Sequence, residues 1–254
     1  MTWPKKPQPA LILTLQRTGG TFLAHCLSNH PDIFCPRGEP LAKRSQWHKM
    51  TRSSTDTLHL IFNQTIYQVA MCKLINNHAF NDGVWEYITG SKGGPWEIRL
   101  IWLERENVVA QAVSHEINAG RRLGTIAGHP THTYRPVEVP PVKLDPSQLV
   151  KRCADEAARA TFAKMMIKKS GLACLHLTYK EVTGASNATA IPAPVARRIC
   201  EFLGVEYAVL SCRLRKVHTR PYSEMITNWP RIKKALLNAS YCDEVTEIEM
   251  GEFC

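Results

Sequence analysis

The chain has 254 residues, 44% of them hydrophobic and 21% charged, with 14 Gly and 16 Pro. That is enough chain for a substantial core, and the composition excludes a disordered, fibrous or collagen-like protein. The formal net charge is +10, and five acids (Asp243, Glu244, Glu247, Glu249, Glu252) crowd the last twelve residues, so the rest of the chain is more basic still. A positive body favours an anionic partner. The bases are dispersed and often stand at element ends, which suits a discrete phosphate pocket better than a DNA-binding stripe.

The longest apolar run, Ala10 to Leu15, is far too short to span a bilayer. Thr2–Pro9 (TWPKKPQP) is polar and proline-rich, unlike the start of a secretory leader. The nine cysteines are scattered, odd in number and without a CxxC pair, so neither a disulfide framework nor a zinc site is expected. They read as reduced, mostly buried thiols of a cytoplasmic protein without a membrane anchor.

Strand-like and helix-like stretches alternate along the chain. Ala10–Leu15 (ALILTL) predicts a buried strand and Thr21–Ser28 a helix, stopped by Asn29-His30-Pro31. Ile33–Cys35, Val69–Ile75 and Glu97–Leu103 are three further expected strands. Asn107–Ala119 has apolar residues at helical spacing, with Gly120 expected to close it. Residues 121–146 hold five prolines and little periodicity, the pattern of a substrate-binding loop or lid. Asp145-Pro146-Ser147-Gln148 is a helix start, and that helix should run to about Lys169. Leu172–Tyr179 should be a strand, Pro194–Leu203 a helix closed by Gly204, and a last helix should begin near Asn228, before an acidic tail at 243–254. The fold class expected is α/β: one domain over residues 1–254 with a mainly parallel central sheet flanked by helices.

The sharpest local feature is the stretch Leu13-Thr14-Leu15-Gln16-Arg17-Thr18-Gly19-Gly20-Thr21-Phe22. A buried strand enters a turn with two glycines and two threonines and leaves as a helix, which aims backbone N–H groups and hydroxyls at one spot. Arg17 adds a charged fork there. The glycines could also serve only the turn. The loop lacks the earlier glycine and the lysine of a Walker A motif, and no GxGxxG is present. Phosphate binding without a metal is therefore expected.

The segment Arg17-Thr18-Gly19-Gly20-Thr21-Phe22 after a first strand resembles the 5′-phosphosulfate loop of sulfotransferases that use 3′-phosphoadenosine-5′-phosphosulfate (PAPS). Its Arg-first form is similar to the bacterial Nod-factor and trehalose sulfotransferase branch. Leu103-Glu104-Arg105-Glu106-Asn107 with Ser114 resembles that family's 3′-phosphate motif, an Arg at a strand end and a Ser nine residues on. Leu177 to Val182, Phe202-Leu203-Gly204-Val205, and the segment from Lys216 through Ile226-Thr227-Asn228-Trp229 match other family segments in order. The resemblance covers about residues 10–241, with 121–146 outside it. It implies the P-loop-like sulfotransferase fold, and a nucleotide site of Arg17, Thr18, Gly19, Gly20, Thr21, Phe22, Arg105, Ser114, Tyr179 and Lys216 that binds PAPS and releases 3′-phosphoadenosine-5′-phosphate (PAP). Two positions depart from the family: Lys180 stands where an acid is usual, and Gly20 replaces a more common Ser or Thr.

Sulfuryl transfer needs charge neutralisation on the leaving phosphate, removal of the acceptor's proton, and in-line alignment. Arg17 and the loop would supply the first, with Arg17 acting as a fixed charge because its guanidinium stays protonated. Glu39, in Pro36-Arg37-Gly38-Glu39-Pro40 after the second strand, is the expected base, at a position where the family carries a carboxylate. Histidine is the rival. His25 and His115 read as structural or surface groups, whereas His48, His78, His129 and His132 fall in presumed loops. Trp102 reads as core; Trp47 and Trp96 could face a ligand. The acceptor expected is a small molecule such as a secondary metabolite or a sugar or glycolipid, with Arg121, Arg122, His129, His132, Tyr134 and Arg135 shaping its pocket. A magnesium-dependent kinase and a nucleic-acid-binding module are the alternatives, and oligomeric state is not legible.

Overall fold

The computed structural model describes residues 6–42, 45–51, 53–64, 66–81, 83–94, 97–122, 140–184, 189–215 and 220–249. Five strands, β1 (Gln8–Thr14), β2 (Ile33–Phe34), β3 (Val69–Ile75), β4 (Arg99–Glu104) and β5 (Cys174–Thr178), form one sheet in the order β2-β3-β1-β4-β5. Every pairing is parallel. The apolar runs in β1 and β3 exist because both strands are interior and covered on both faces. The α/β class with a parallel sheet flanked by helices is thus what the sequence folds into.

The helices, in chain order, are α1 (Gly20–Leu27), α2 (Gln46–Met50), α3 (Ser54–Phe62), α4 (Asn76–Ala79), α5 (Val84–Ile88), α6 (Val108–Arg122), α7 (Pro146–Ser170), α8 (Tyr179–Thr183), α9 (Ala193–Leu203), α10 (Tyr222–Met225), α11 (Trp229–Asn238) and α12 (Cys242–Glu249). Asp145 caps α7 as its sequence suggests, its Oδ1 accepting the N–H groups of Ser147 at 2.8 Å and Gln148 at 3.0 Å. Gly204 closes α9 in the left-handed conformation, φ 71°.

Several expectations need correcting. Gly120 does not close α6, which continues to Arg122, because one interior glycine costs a helix only about 1 kcal/mol. Short helices α2 to α5 occupy stretches in which no helix was expected, being too brief to build a hydrophobic period. One signal was there: Ser53 caps α3 by accepting the Asp56 N–H at 3.1 Å. The acid-rich end is helical over Cys242–Glu249 rather than a tail, with Val245 and Ile248 buried.

The chain divides into two compact units. The first comprises Met1–Glu104, Phe162–Gly184 and Ala190–Cys212 and contains the sheet. The second comprises Arg105–Thr161, Ala185–Thr189 and Arg213–Cys254. Its core joins Val109, Val113 and Ile117 of α6 to Leu149 of α7, Trp229 and Ile232 of α11 and the buried face of α12. Within it Asn228 takes the Leu144 N–H at 3.1 Å and donates to the Leu144 carbonyl at 2.8 Å, fixing the approach to α7.

Residues 123–139 of the proline-rich segment, Trp96, Lys216 and residues 250–254 lie outside the described residues, and so do the side chains of His48, Arg121 and Arg122. His129, His132, Tyr134 and Arg135 are therefore outside them too. All eight described cysteines are free thiols, six of them buried. Burial pushes the thiols of Cys35 and Cys153 up to about 12, so both are inert at neutral pH. Among the described residues no helix is long and apolar enough to cross a membrane.

Candidate active site

In a parallel α/β sheet, ligands bind at the carboxyl ends of the strands, where the chain leaves for a helix. Thr14 of β1 pairs with Ile75 of β3 and with Leu103 of β4, so three strand ends meet around the turn at 15–19. The turn is held from beneath. Thr18 is fully buried; its Oγ1 donates to the Leu15 carbonyl at 3.0 Å and shares a hydrogen bond with Thr14 Oγ1, which itself reaches the Leu103 carbonyl at 3.1 Å. Thr18 is thus a structural peg rather than a hydroxyl offered to a ligand.

The turn is also unusual in its backbone. Gly19 has φ 86°, and Arg17 sits at φ 65° although it carries a Cβ. A left-handed non-glycine costs of the order of 1–3 kcal/mol and persists where the surrounding structure demands it. The half-exposed Arg17 side chain leaves the turn from that position. Gly19 then caps α1, whose first N–H groups have no partner within the helix, the arrangement that suits an anion.

Both glycines have a packing reason as well. A Cβ on Gly20 would stand 2.8 Å from Thr14 Cγ2 and 3.1 Å from Lys73 Cδ; a Cβ on Gly19 would meet the Tyr179 ring at 3.0 Å. The departure at Gly20 is explained by this crowding. Tyr179, the first residue of α8, thereby packs on the turn. Next to it Glu181 completes a capping box, accepting the Thr178 N–H at 2.8 Å and pairing with Arg198 at 2.7 Å. The acid that Lys180 lacks is supplied one residue later.

The residue missed in the sequence is Lys73. It lies in the middle of β3, only 3% exposed, and its Nζ donates to Thr21 Oγ1 at 3.1 Å and to Glu39 Oε1 at 3.0 Å. A buried ammonium requires such partners. Val69–Ile75 had drawn attention only as an apolar run, yet one lysine inside it was the available signal. Lys73 brings Glu39 and the first turn of α1 together, so Glu39 does reach the strand edge; its side chain is 36% exposed. Phe22 sits half-buried in the same helical turn.

His25 lies one turn beyond Thr21. Burial holds its imidazole below the usual range, with the positive charges of Arg37 and Lys73 adding to the effect and a hydrogen bond to the Arg37 backbone opposing it. His78 is in α4 rather than a loop, and His30, bonded to the Glu206 carbonyl and the Asp32 N–H, is structural. Trp102 is core, 3% exposed. Trp47 packs edge-on against Phe34 at 5.7 Å.

Arg105 and Ser114 belong to the second unit, where both are buried, Arg105 directly after β4 and Ser114 in α6. Beside Ser114, His115 Nδ1 meets Glu156 at 2.8 Å, and Glu156 also takes Gln111 at 3.3 Å and lies 3.6 Å from Arg159.

No family model matches the chain, and no curated protein matches it in sequence. Solved structures do. A sulfotransferase from Alicyclobacillus acidocaldarius aligns over 98% of this chain and 96% of its own at 15% identity, TM-score 0.46. A sulfotransferase domain of the curacin biosynthetic pathway aligns over 80% of this chain and 75% of its own at 14% identity, TM-score 0.47. The sulfotransferase domain of the Synechococcus PCC 7002 olefin synthase gives 82%, 78%, 16% and 0.47 in the same terms.

Proposed function

We propose that this protein is a cytoplasmic sulfotransferase that moves a sulfuryl group from PAPS to a small-molecule acceptor, in the manner of the bacterial branch its loop resembles. One observation carries the reading: at the end of the first strand, a helix N-terminus, a strained arginine turn and the buried Lys73 converge, with a carboxylate held 3.0 Å from the lysine. Fixed positive charge beside a positioned carboxylate answers two of the three requirements of the reaction, charge neutralisation and proton removal.

The residues present fit a phosphosulfate end. The N–H groups at the start of α1, the Thr21 hydroxyl and the Arg17 guanidinium are donors only or can act as donors, and Lys73, paired with Glu39, stands behind Thr21. PAPS, when bound, supplies the sulfuryl group and a good leaving phosphate. Lys73 stabilises negative charge at the turn, and it also orients Glu39, whose carboxylate takes the acceptor's proton. Arg105 and Ser114 hold the 3′-phosphate, and Tyr179 and Lys216 complete the nucleotide site. The roles of Lys73 and Glu39 rest on the geometry at the loop, and those of Arg105, Ser114, Tyr179 and Lys216 on the sequence motifs.

The test is calorimetric titration with PAP in the absence of magnesium, on the wild type and Arg105→Ala. Micromolar binding weakened by the substitution supports the reading. No binding overturns it, and ATP with magnesium, then nucleic acid, become the ligands to try.

A further inference from the structure

Glu39 is carried on a short stretch between the buried Cys35 and the buried Pro40. Arg37 and Gly38 within it are exposed, and a Cβ built on Gly38 would meet no atom within 4 Å. Packing therefore does not fix the peptide that leads into Glu39, and a glycine there leaves the chain more conformational freedom than any other residue would. Polar bonds fix it instead. The Arg37 guanidinium donates through Nε to Ser28 Oγ at 3.0 Å and through Nη2 to Asn29 Oδ1 at 2.9 Å. The His25 ring makes a further hydrogen bond to the Arg37 backbone.

These anchors lie together at the C-terminal end of α1, where His25 is in the last turn and Ser28 is the cap. A cation is favoured there by the partial negative charge of the last carbonyls, and a planar guanidinium fork can meet two acceptors at once. Asn29 is held in turn, its Nδ2 donating to the Ser211 carbonyl at 2.8 Å. At the other end of the same helix, Thr21 accepts from Lys73, and Lys73 donates to Glu39. The bonds close a ring. It runs from Glu39 through Lys73 and Thr21 into α1, along the helix to Ser28 and Asn29, and back through Arg37 to Glu39.

Resting on the sulfotransferase reading, we propose that Arg37 is a positioning residue: it clamps its loop to the end of α1 and so holds the Glu39 carboxylate against Lys73, where it takes the acceptor's proton. Arg37 acts through Glu39, two residues on. One helix then sets both halves of the chemistry, with the anion at its first turn and the base tethered to its last. The clamp matters because a reacting group displaced by about 1 Å can cost on the order of 10²-fold in rate.

The experiment follows the Lys73 Cε–Hε cross-peak by NMR in the whole protein carrying isotope-labelled lysine, with Lys73→Met to assign it. Glu39→Ala gives the position of the peak once the carboxylate is gone. Arg37→Met, and separately Ser28→Ala combined with Asn29→Ala, should each move the peak toward that position. They open the clamp from its two sides, and the double variant keeps the Arg37 charge. None of the three side chains is buried, and the other lysine peaks report that the fold stands. A peak that stays at its wild-type position in Arg37→Met overturns the inference. So does a peak that moves in Arg37→Met but not in the double variant, because the guanidinium would then act as a charge at a distance and not as a clamp. A PAP titration of the wild type tells the two claims apart. PAP binding with an unmoved peak removes the clamp and leaves the sulfotransferase reading; a moved peak without PAP binding removes that reading and leaves the clamp.

Discussion

Among the described residues, the charged side chains of Lys73 and Glu156 are both buried almost completely, and they are buried in different ways. Lys73, in the sheet unit, has a carboxylate and a hydroxyl as partners, both on segments that solvent or a ligand can reach. Glu156, in the second unit, is 1% exposed and surrounded by His115, Gln111 and Arg159, all anchored on α6 and α7. A further pair, Arg152 to Glu116 at 2.8 Å, joins the same two helices. The first arrangement leaves capacity for an anion at an open edge. The second spends its donors internally, as a network that fixes how two helices pack. Burial of a charge alone does not mark a site; accessible partners do.

The largest effect should come from separating catalysis from stability at the first of these. Glu39→Gln keeps the shape and a hydrogen bond to Lys73 while removing the base, so kcat should fall about 10²–10⁴-fold. Urea unfolding should change by less, because the Gln oxygen still accepts from Lys73 although the buried ammonium loses its counter-charge. A kcat within a few fold of the wild type would assign the proton to another group and leave Glu39 as a partner for Lys73 only.

Glu156→Ala should show the opposite profile. Removing the acceptor strands His115, Gln111 and Arg159, at a cost of about 3 kcal/mol in urea unfolding. Should the variant unfold like the wild type but lose turnover, the contrast between the two buried charges would be reversed and His115 would become the base to pursue.

Much of the fold was legible because its signals are local. Alternating apolar runs and helical periods locate β1, β3, β4, α7 and α9, since interior strands must be continuously apolar and long helices must repeat. The front turn was legible for the same reason, its glycines and threonines being consecutive. Lys73 was not, because what distinguishes it is contact with Thr21 and Glu39, 52 and 34 residues away in sequence. The direction of the Thr18 hydroxyl was not legible either: it turns inward onto the Leu15 carbonyl and Thr14 Oγ1, and Thr14 is itself tied across the sheet to the Leu103 carbonyl.

A middling effect is expected at Gly20. Alanine there must displace the Thr14 methyl group or the Lys73 stem, and overpacking of this kind costs about 1–3 kcal/mol. Because Lys73 is one of the two groups displaced, PAP affinity should fall along with stability. If stability falls while nucleotide affinity holds, Lys73 does not stand at the nucleotide.

The smallest effect is a pH dependence that reports on Lys73 from its neighbour. His25 has its folded pKa below 6.5, chiefly through burial and then through Arg37, with Lys73 adding to it. The unfolded chain therefore takes up the proton first as pH drops. Above 6.5 both states are neutral at this residue and it contributes nothing to the pH slope. Below 6.5 the folded state loses stability progressively, until its own His25 protonates and the loss levels off. Urea unfolding from pH 7.5 to pH 5 should show a shallower decline in His25→Gln than in the wild type, and equal slopes would contradict the assignment. The sharper version follows the His25 ring by NMR in Lys73→Met. Removing a nearby positive charge should move its titration midpoint upward, toward 6.5 but not onto it, because burial and Arg37 remain. A midpoint that does not move would mean the Lys73 charge is already cancelled at the His25 ring by its pairing with Glu39, and would weaken the case that it is free to act on a bound anion.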